Sequence, residues 1–256
     1  MAHRGRTKPP AQRPRTPEPL PPPLPPGERT VGQLIAETVR FYQGHFFQVL
    51  PLGLSVAALT QLTVAFGTKH LKVHGHPPSR SLHDPTSLVG GGFETTIVLS
   101  SLLLTASFIV AIVLVTGARP DSGRIAVAYA AGVLVFLPAP VIVGLLGPLA
   151  LPALVYLAFI GWVVPVILVE DVGFRQAFGR AARLGRADYV HALGGLAALV
   201  VVFAVIRIML VLLIRTGGEI GERSTAALAD LVLSPLLFVG AALLYLDQAA
   251  RAEARK

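Results

Sequence analysis

Six apolar stretches fix the solvent in which this chain folds: Val49–Phe66, Ile97–Val115, Ile125–Leu146, Leu149–Val169, Ala192–Ile214 and Ala226–Leu246. Each holds 18 to 23 residues, and about 20 helical residues cross a hydrocarbon core about 30 Å thick. Backbone N–H and C=O groups find no partner in lipid, so a spanning segment is either a helix or a strand of a closed barrel. Barrel strands alternate apolar and polar side chains, and these runs do not. The expected fold is all-α: a polytopic integral membrane helix bundle of six transmembrane helices, with interfacial amphipathic helices beside them.

The distribution of charge agrees. Only 14% of residues are charged and 53% are hydrophobic, whereas a soluble domain carries about 25% charge. The first apolar run follows a long polar lead, unlike the short n-region and h-region of a cleavable signal, so the lead is expected to be retained. The chain has no cysteine, which excludes disulfides, thiolate metal sites and cysteine-borne lipid anchors. A net charge of +8 would suit a nucleic-acid binder, but the cations sort by side of the membrane instead. With residue 1 inside, sixteen Lys and Arg fall on inner segments and five on outer ones, and Arg207 lies within a span. Short loops rich in Lys and Arg stay cytoplasmic. Both termini are therefore expected on the cytoplasmic side of a bacterial cell membrane, with membrane lipid, anionic in the inner leaflet, as a partner and no nucleic acid.

Three regions follow. Residues 1–29 form a basic cytoplasmic tail with ten prolines among residues 1–28, a composition that buries no core and favours disorder with polyproline II character. Its Pro21–Pro26 run also fits a PxxP ligand, but a stiff basic tether is the favoured account, because such spacing arises by chance in any proline-rich tail. Residues 30–250 make the membrane domain, and 251–256 a short basic tail. Order is expected from Thr30, where Thr30-Val31-Gly32-Gln33 fits a capping box. Leu34, Ile35, Val39, Tyr42 and Phe46 then recur at helical spacing, as expected of a helix lying in the inner interface. A second such helix follows the fourth run, with Asp171 as its cap and Phe174, Ala177, Phe178, Ala181 and Leu184 on one face. Leu34, Ile35, Val39, Phe174 and Phe178 are expected against acyl chains, and Arg40, Arg175, Arg180 and Arg183 near headgroup phosphates. The Arg119–Ala128 piece shows the pattern poorly, but a lead before each pair of spans hints at a threefold repeat.

Few residues suggest chemistry. His70, His74, His76 and His83 share the outer loop Gly67–Glu94, where imidazoles at i, i+4 could bind zinc, yet a site needs preorganised ligands and a second shell. No metal or cofactor is expected. Arg207 and Asp230 lie inside the fifth and sixth runs, where an unpaired charge costs several kcal/mol. Each sits about 10–12 Å below the outer end at about 1.5 Å per residue, so antiparallel neighbours would set them level as an ion pair. Prolines at 51, 138, 140, 148, 152, 165 and 235 mark the spans and suit kinks. No zinc-protease, P-loop or Gly-x-Ser-x-Gly signature occurs, and no enzyme activity is expected.

Three segments resemble the membrane domain associated with bacterial glycerophosphodiester phosphodiesterases and related six-helix bacterial membrane proteins. They are Val31–Glu37 with Arg40 and Tyr42, Pro165–Glu170 followed by Ala177–Leu184, and Leu244-Tyr245-Leu246-Asp247. The resemblance implies a membrane fold; the family's separate phosphodiesterase barrel has no counterpart here. The family's Arg-Ser-aromatic is replaced by Arg180-Ala181-Ala182. The expected function is a membrane-embedded interaction or lipid-organising protein whose bundle docks a partner; transport of a small solute or lipid through the proline-kinked spans, with Arg207 and Asp230 as its site, is the alternative, ranked second because few other intramembrane polar residues converge on that depth.

Overall fold

A computed structural model of the chain describes residues 25–59, 61, 91–146, 151–213 and 218–255. The described elements are helical: α1 (Val31–Gly44), α2 (Phe46–Val49), residues 52–59, α3 (Gly91–Thr116), α4 (Ser122–Phe136), α5 (Pro138–Leu146), α6 (Leu151–Ile160), α7 (Val163–Val169), α8 (Phe174–Ala187), α9 (Tyr189–Leu213) and α10 (Gly218–Ala254). No strand occurs among the described residues. Five stretches are long and apolar enough to cross a bilayer: Thr95–Thr116, Ser122–Ile142, Leu151–Val169, Tyr189–Leu213 and Ser224–Ala254. Their length and composition make this a membrane protein. The expected first span, Val49–Phe66, lies partly outside the described residues, and the four loop histidines lie there entirely.

Three spans differ in form from the sequence expectation. The third breaks after Phe136, because Pro138 has no N–H to continue the ladder. The fourth breaks at Gly161 and Trp162, between α6 and α7. The sixth is longer than its apolar run: α10 has 37 residues and at about 1.5 Å per residue extends about 55 Å. The basic tail expected at 251–256 is therefore helix as far as Ala254.

α10 is the hub, packing against α9, α3, α1 and α8. At its crossing with α9 small residues admit large ones. A Cβ on Gly240 would lie 2.5 Å from Leu199 Cδ2, and one on Gly195 would lie 2.9 Å from Leu244 Cδ1. Close backbone approach of this kind is how helices associate in lipid, where water provides no hydrophobic drive between them.

α1 opens with the expected capping box. Thr30 Oγ1 accepts from Gln33 N at 3.3 Å, and Gln33 Oε1 accepts from Thr30 N at 2.8 Å, a cap that contributes about 1 kcal/mol. Its apolar stripe, however, faces protein. Leu34 is fully buried beside Gly195 and Leu244, and Tyr42 reaches Val232. The helix thus runs alongside α10 from the level of Leu244 to that of Val232, and Leu34 does not lie against acyl chains. Ile35 packs partly on the core, while Val39 stays exposed. The disordered tail assigned to 1–29 is also too long: Gly27 and Arg29 are hydrogen-bonded to α10.

α8 buries Ala177, Ala181, Leu184 and Gly185 against α6, α7 and α10. Gly185 makes this possible, since a Cβ there would lie 2.7 Å from the Phe159 carbonyl oxygen. Phe178 packs partly on the core and meets the exposed Phe174 at a centroid distance of 5.1 Å. Asp171 does not cap this helix. Gly173 holds that position without a side-chain hydrogen bond, while Asp171 adopts φ +54°, a left-handed conformation that Asp tolerates, and pairs with Arg124 at 2.6 Å.

Candidate functional site

Helices α9 and α10 run antiparallel, and their pairing sets two polar groups at different heights. The upper group joins the two charges within the spans. Arg207 donates through Nε and Nη2 to the two carboxylate oxygens of Asp230, the second at 3.1 Å. Asp230 is buried and Arg207 is partly so. A two-toothed guanidinium–carboxylate contact of this sort satisfies both charges at once, and Ser234 Oγ adds a bond to the Asp230 backbone carbonyl.

The lower group gathers at the C-terminal end of α10. Asp247 is fully buried and accepts from Gly27 N at 2.6 Å and from Arg251 Nε at 2.9 Å. His191 Nε2 lies 2.7 Å from Asp247 Oδ2, a close approach off the angle of an aligned hydrogen bond. Arg251 also donates to Asp188 Oδ2 at 3.1 Å and to the Arg29 carbonyl at 2.7 Å. Arg255 reaches Asp188 Oδ2 at 3.5 Å. A buried carboxylate is tolerated only with such partners, so these contacts tie residues 27–29, the start of α9 and the end of α10 into one unit.

Beside it, Glu170 accepts from Arg180 Nε at 2.6 Å and from the Tyr245 hydroxyl at 3.2 Å. The Glu170 hydrogen bond, helped by its charge, raises the Arg180 guanidinium above its ordinary range, against partial burial. Glu170, Arg180 and Tyr245 come from two of the three segments that carry the family resemblance, brought together from 75 residues apart.

The expected headgroup residues divide into two kinds. Arg40 is paired with Glu37 at 2.8 Å and Arg180 with Glu170, so neither is an uncommitted cation. Arg175 and Arg183 are exposed on α8 and have no carboxylate partner among the described residues. Arg186, which sequence reasoning passed over, behaves the same way: it is exposed, and its guanidinium carbon sits 5.6 Å from the centre of the Phe159 ring. Asp247, Asp188 and His191 were missed too, because they look like ordinary flanking charges until the fold brings them together. Among the described residues no three His, Asp or Glu side chains group as metal ligands.

Beside Phe159 an open groove of about 350 Å³ is lined by Val155, Tyr156, Phe159 and Ile160 of α6 and Tyr189 of α9. It is apolar apart from the tyrosine hydroxyls, which have no hydrogen-bond partner among the described residues. Taken together, these sites hold compensated charge, exposed arginines without a carboxylate partner among the described residues, and apolar surface. Comparison with protein-family models, with curated proteins and with solved structures finds no match to this chain.

Proposed function

We propose that the protein is a six-span protein of a bacterial cytoplasmic membrane, with both termini in the cytoplasm, that organises anionic lipid or docks a partner at its inner end and has no enzyme activity of its own. The observation that carries this reading is the split among the arginines. At the end of the bundle where α8 lies, Arg124, Arg180, Arg251 and Arg255 are paired with carboxylates of the chain, whereas Arg175, Arg183 and Arg186 are exposed on one helix with none among the described residues. A free cation near an anionic leaflet contributes about 1 kcal/mol, so three on one exposed face give α8 a surface-seeking character. Residues Val49–Phe66 complete the six spans, and α8 is the interfacial helix. Kinship with the membrane domain of the phosphodiesterase family rests on the three resembling segments, two of which meet at Glu170, Arg180 and Tyr245.

Transport ranks second. It is favoured by the intramembrane Arg207 and Asp230, but each already satisfies the other, which leaves little for a substrate to replace.

Two measurements test the reading. Single cysteines at positions 75 and 219 should react with an impermeant reagent on intact cells, and those at 122, 182 and 252 should not; outside labelling at 182 reverses the orientation. Discs cut from native membrane around the full chain should be enriched in anionic lipid relative to the bulk membrane. Equal composition in disc and bulk removes the lipid-organising role.

A further inference from the structure

The groove on α6 and the arginine above it share one residue, and that junction has a specific shape. Phe159 forms part of the groove floor and also carries the Arg186 guanidinium over its ring. Gly185 permits this arrangement, because only a residue without a side chain lets α8 come so close to the Phe159 carbonyl. Along α6 the groove runs one helical turn, from Phe159 to Val155. Arg183 lies one turn before Arg186 on α8, on the same face. The nearest carboxylate in sequence, Asp188, is engaged by Arg251 and Arg255 and does not neutralise the site.

We infer that this junction is a binding site for one anionic phospholipid. Its phosphate sits on Arg186, with Arg183 adjacent, and an acyl chain lies along Val155, Phe159 and Ile160. The tyrosines fit the boundary between the two parts, since an aromatic ring with a polar tip is favoured where apolar chain meets headgroup, and the free hydroxyls of Tyr156 and Tyr189 can donate to ester or phosphate oxygens. A guanidinium suits phosphate better than an ammonium does, because its fork of donors matches two oxygens. Charge complementarity selects the occupant: an acyl chain alone leaves Arg186 without an anion, and a phosphate ion alone leaves the groove unfilled. The inference deepens the lipid-organising reading and rests on it, adding a site, a stoichiometry and a lipid class.

The test uses the full chain in detergent micelles supplied with phosphatidylglycerol or phosphatidylcholine and observed by native mass spectrometry. The wild type should retain one phosphatidylglycerol under activation that strips phosphatidylcholine. Arg186→Gln should lower that retention about fivefold, the share of one well-placed cation, and Val155→Trp, which fills the groove, should abolish it. Arg119→Gln, at an exposed position on the connection between α3 and α4, should leave it unchanged. Inorganic phosphate should not protect the wild type against heating, whereas phosphatidylglycerol should. Should Arg186→Gln fail to fold, Arg186→Lys should fold and lose the preference over phosphatidylcholine in part. Retention equal in the wild type, Arg186→Gln and Val155→Trp overturns this site while leaving anionic enrichment around α8 intact. Absence of enrichment in native discs defeats the broader reading as well, and equal protection by free phosphate reduces the site to an anion contact without a lipid.

Discussion

The Tyr42 hydroxyl donates to the Val232 carbonyl at 2.6 Å, three residues ahead of Pro235. Pro235 has no N–H for the Leu231 carbonyl and weakens the turn before it. Two neighbours cover that turn: Tyr42 bonds to Val232, and Gly53 presses its backbone on Leu231. A proline inside a membrane helix persists when surrounding groups satisfy what it frees, and α1 supplies one of them here.

Tyr42→Phe should therefore destabilise the protein in detergent by about 1–2 kcal/mol, the loss of one buried hydrogen bond, measured as a lower thermal midpoint. Burial raises the Tyr42 hydroxyl above its ordinary value of 10.0, so the neutral form is the folded one. The wild-type advantage over Tyr42→Phe should be complete below about pH 10 and shrink as pH rises beyond it, where unfolded chains ionise first. A difference that grows at high pH contradicts this role.

A Cβ on Gly53 would lie 1.9 Å from the Leu231 oxygen, and the obstruction is backbone, which cannot rotate away. Gly53→Ala should cost at least about 1–3 kcal/mol, as overpacking does. Gly194 meets nothing within 4 Å and lies inside α9, so Gly194→Ala should be neutral or stabilise by up to about 1 kcal/mol. Equal melting of the two variants would remove the packing distinction between them.

Removing either partner of the Arg207–Asp230 pair strands a charge, at a cost of about 3–5 kcal/mol. Arg207→Leu and Asp230→Leu should each lower the thermal midpoint strongly, and the exchange Arg207→Asp with Asp230→Arg should recover much of the loss. Additive losses in the double variant would show that the two side chains act independently.

The contacts of Asp247 hold residues 27–29 against α10, where Arg29 is only 9% exposed. Trypsin should cut slowly after Arg29 in the wild type. Asp247→Asn and Arg251→Gln should speed that cleavage relative to cleavage after Arg15, read by mass spectrometry of the fragments. Unchanged relative rates would mean that the segment is not held by this cluster.

What could be read from the sequence is local, and what could not is distant. Apolar run length placed the five spans found among the described residues, the Thr30–Gln33 spacing placed the first cap, and counting from the outer ends set Arg207 and Asp230 level. Leu34 was misplaced because an amphipathic stripe suits lipid and protein surfaces alike; only Gly195 and Leu244, far along the chain, decide between them. Asp171 was misread for a similar reason. An acidic residue before a helix resembles a cap, and nothing nearby shows that Arg124 claims its carboxylate. The Asp247 cluster depends on a bond across 220 residues, beyond any motif of fixed spacing.

That same bond bears on the order of assembly. A ribosome releases Gly27 long before Asp247 exists, so the seat for residues 27–29 appears only when α10 has been made and inserted. Until then residues 27–29 lack their seat and Tyr42 lacks the carbonyl it binds, and Leu34 has Gly195 of α9 but not Leu244 to pack on. The docking of this segment is thus a late step of assembly, and a chain whose α10 is not seated leaves part of the apolar stripe of α1 without its cover.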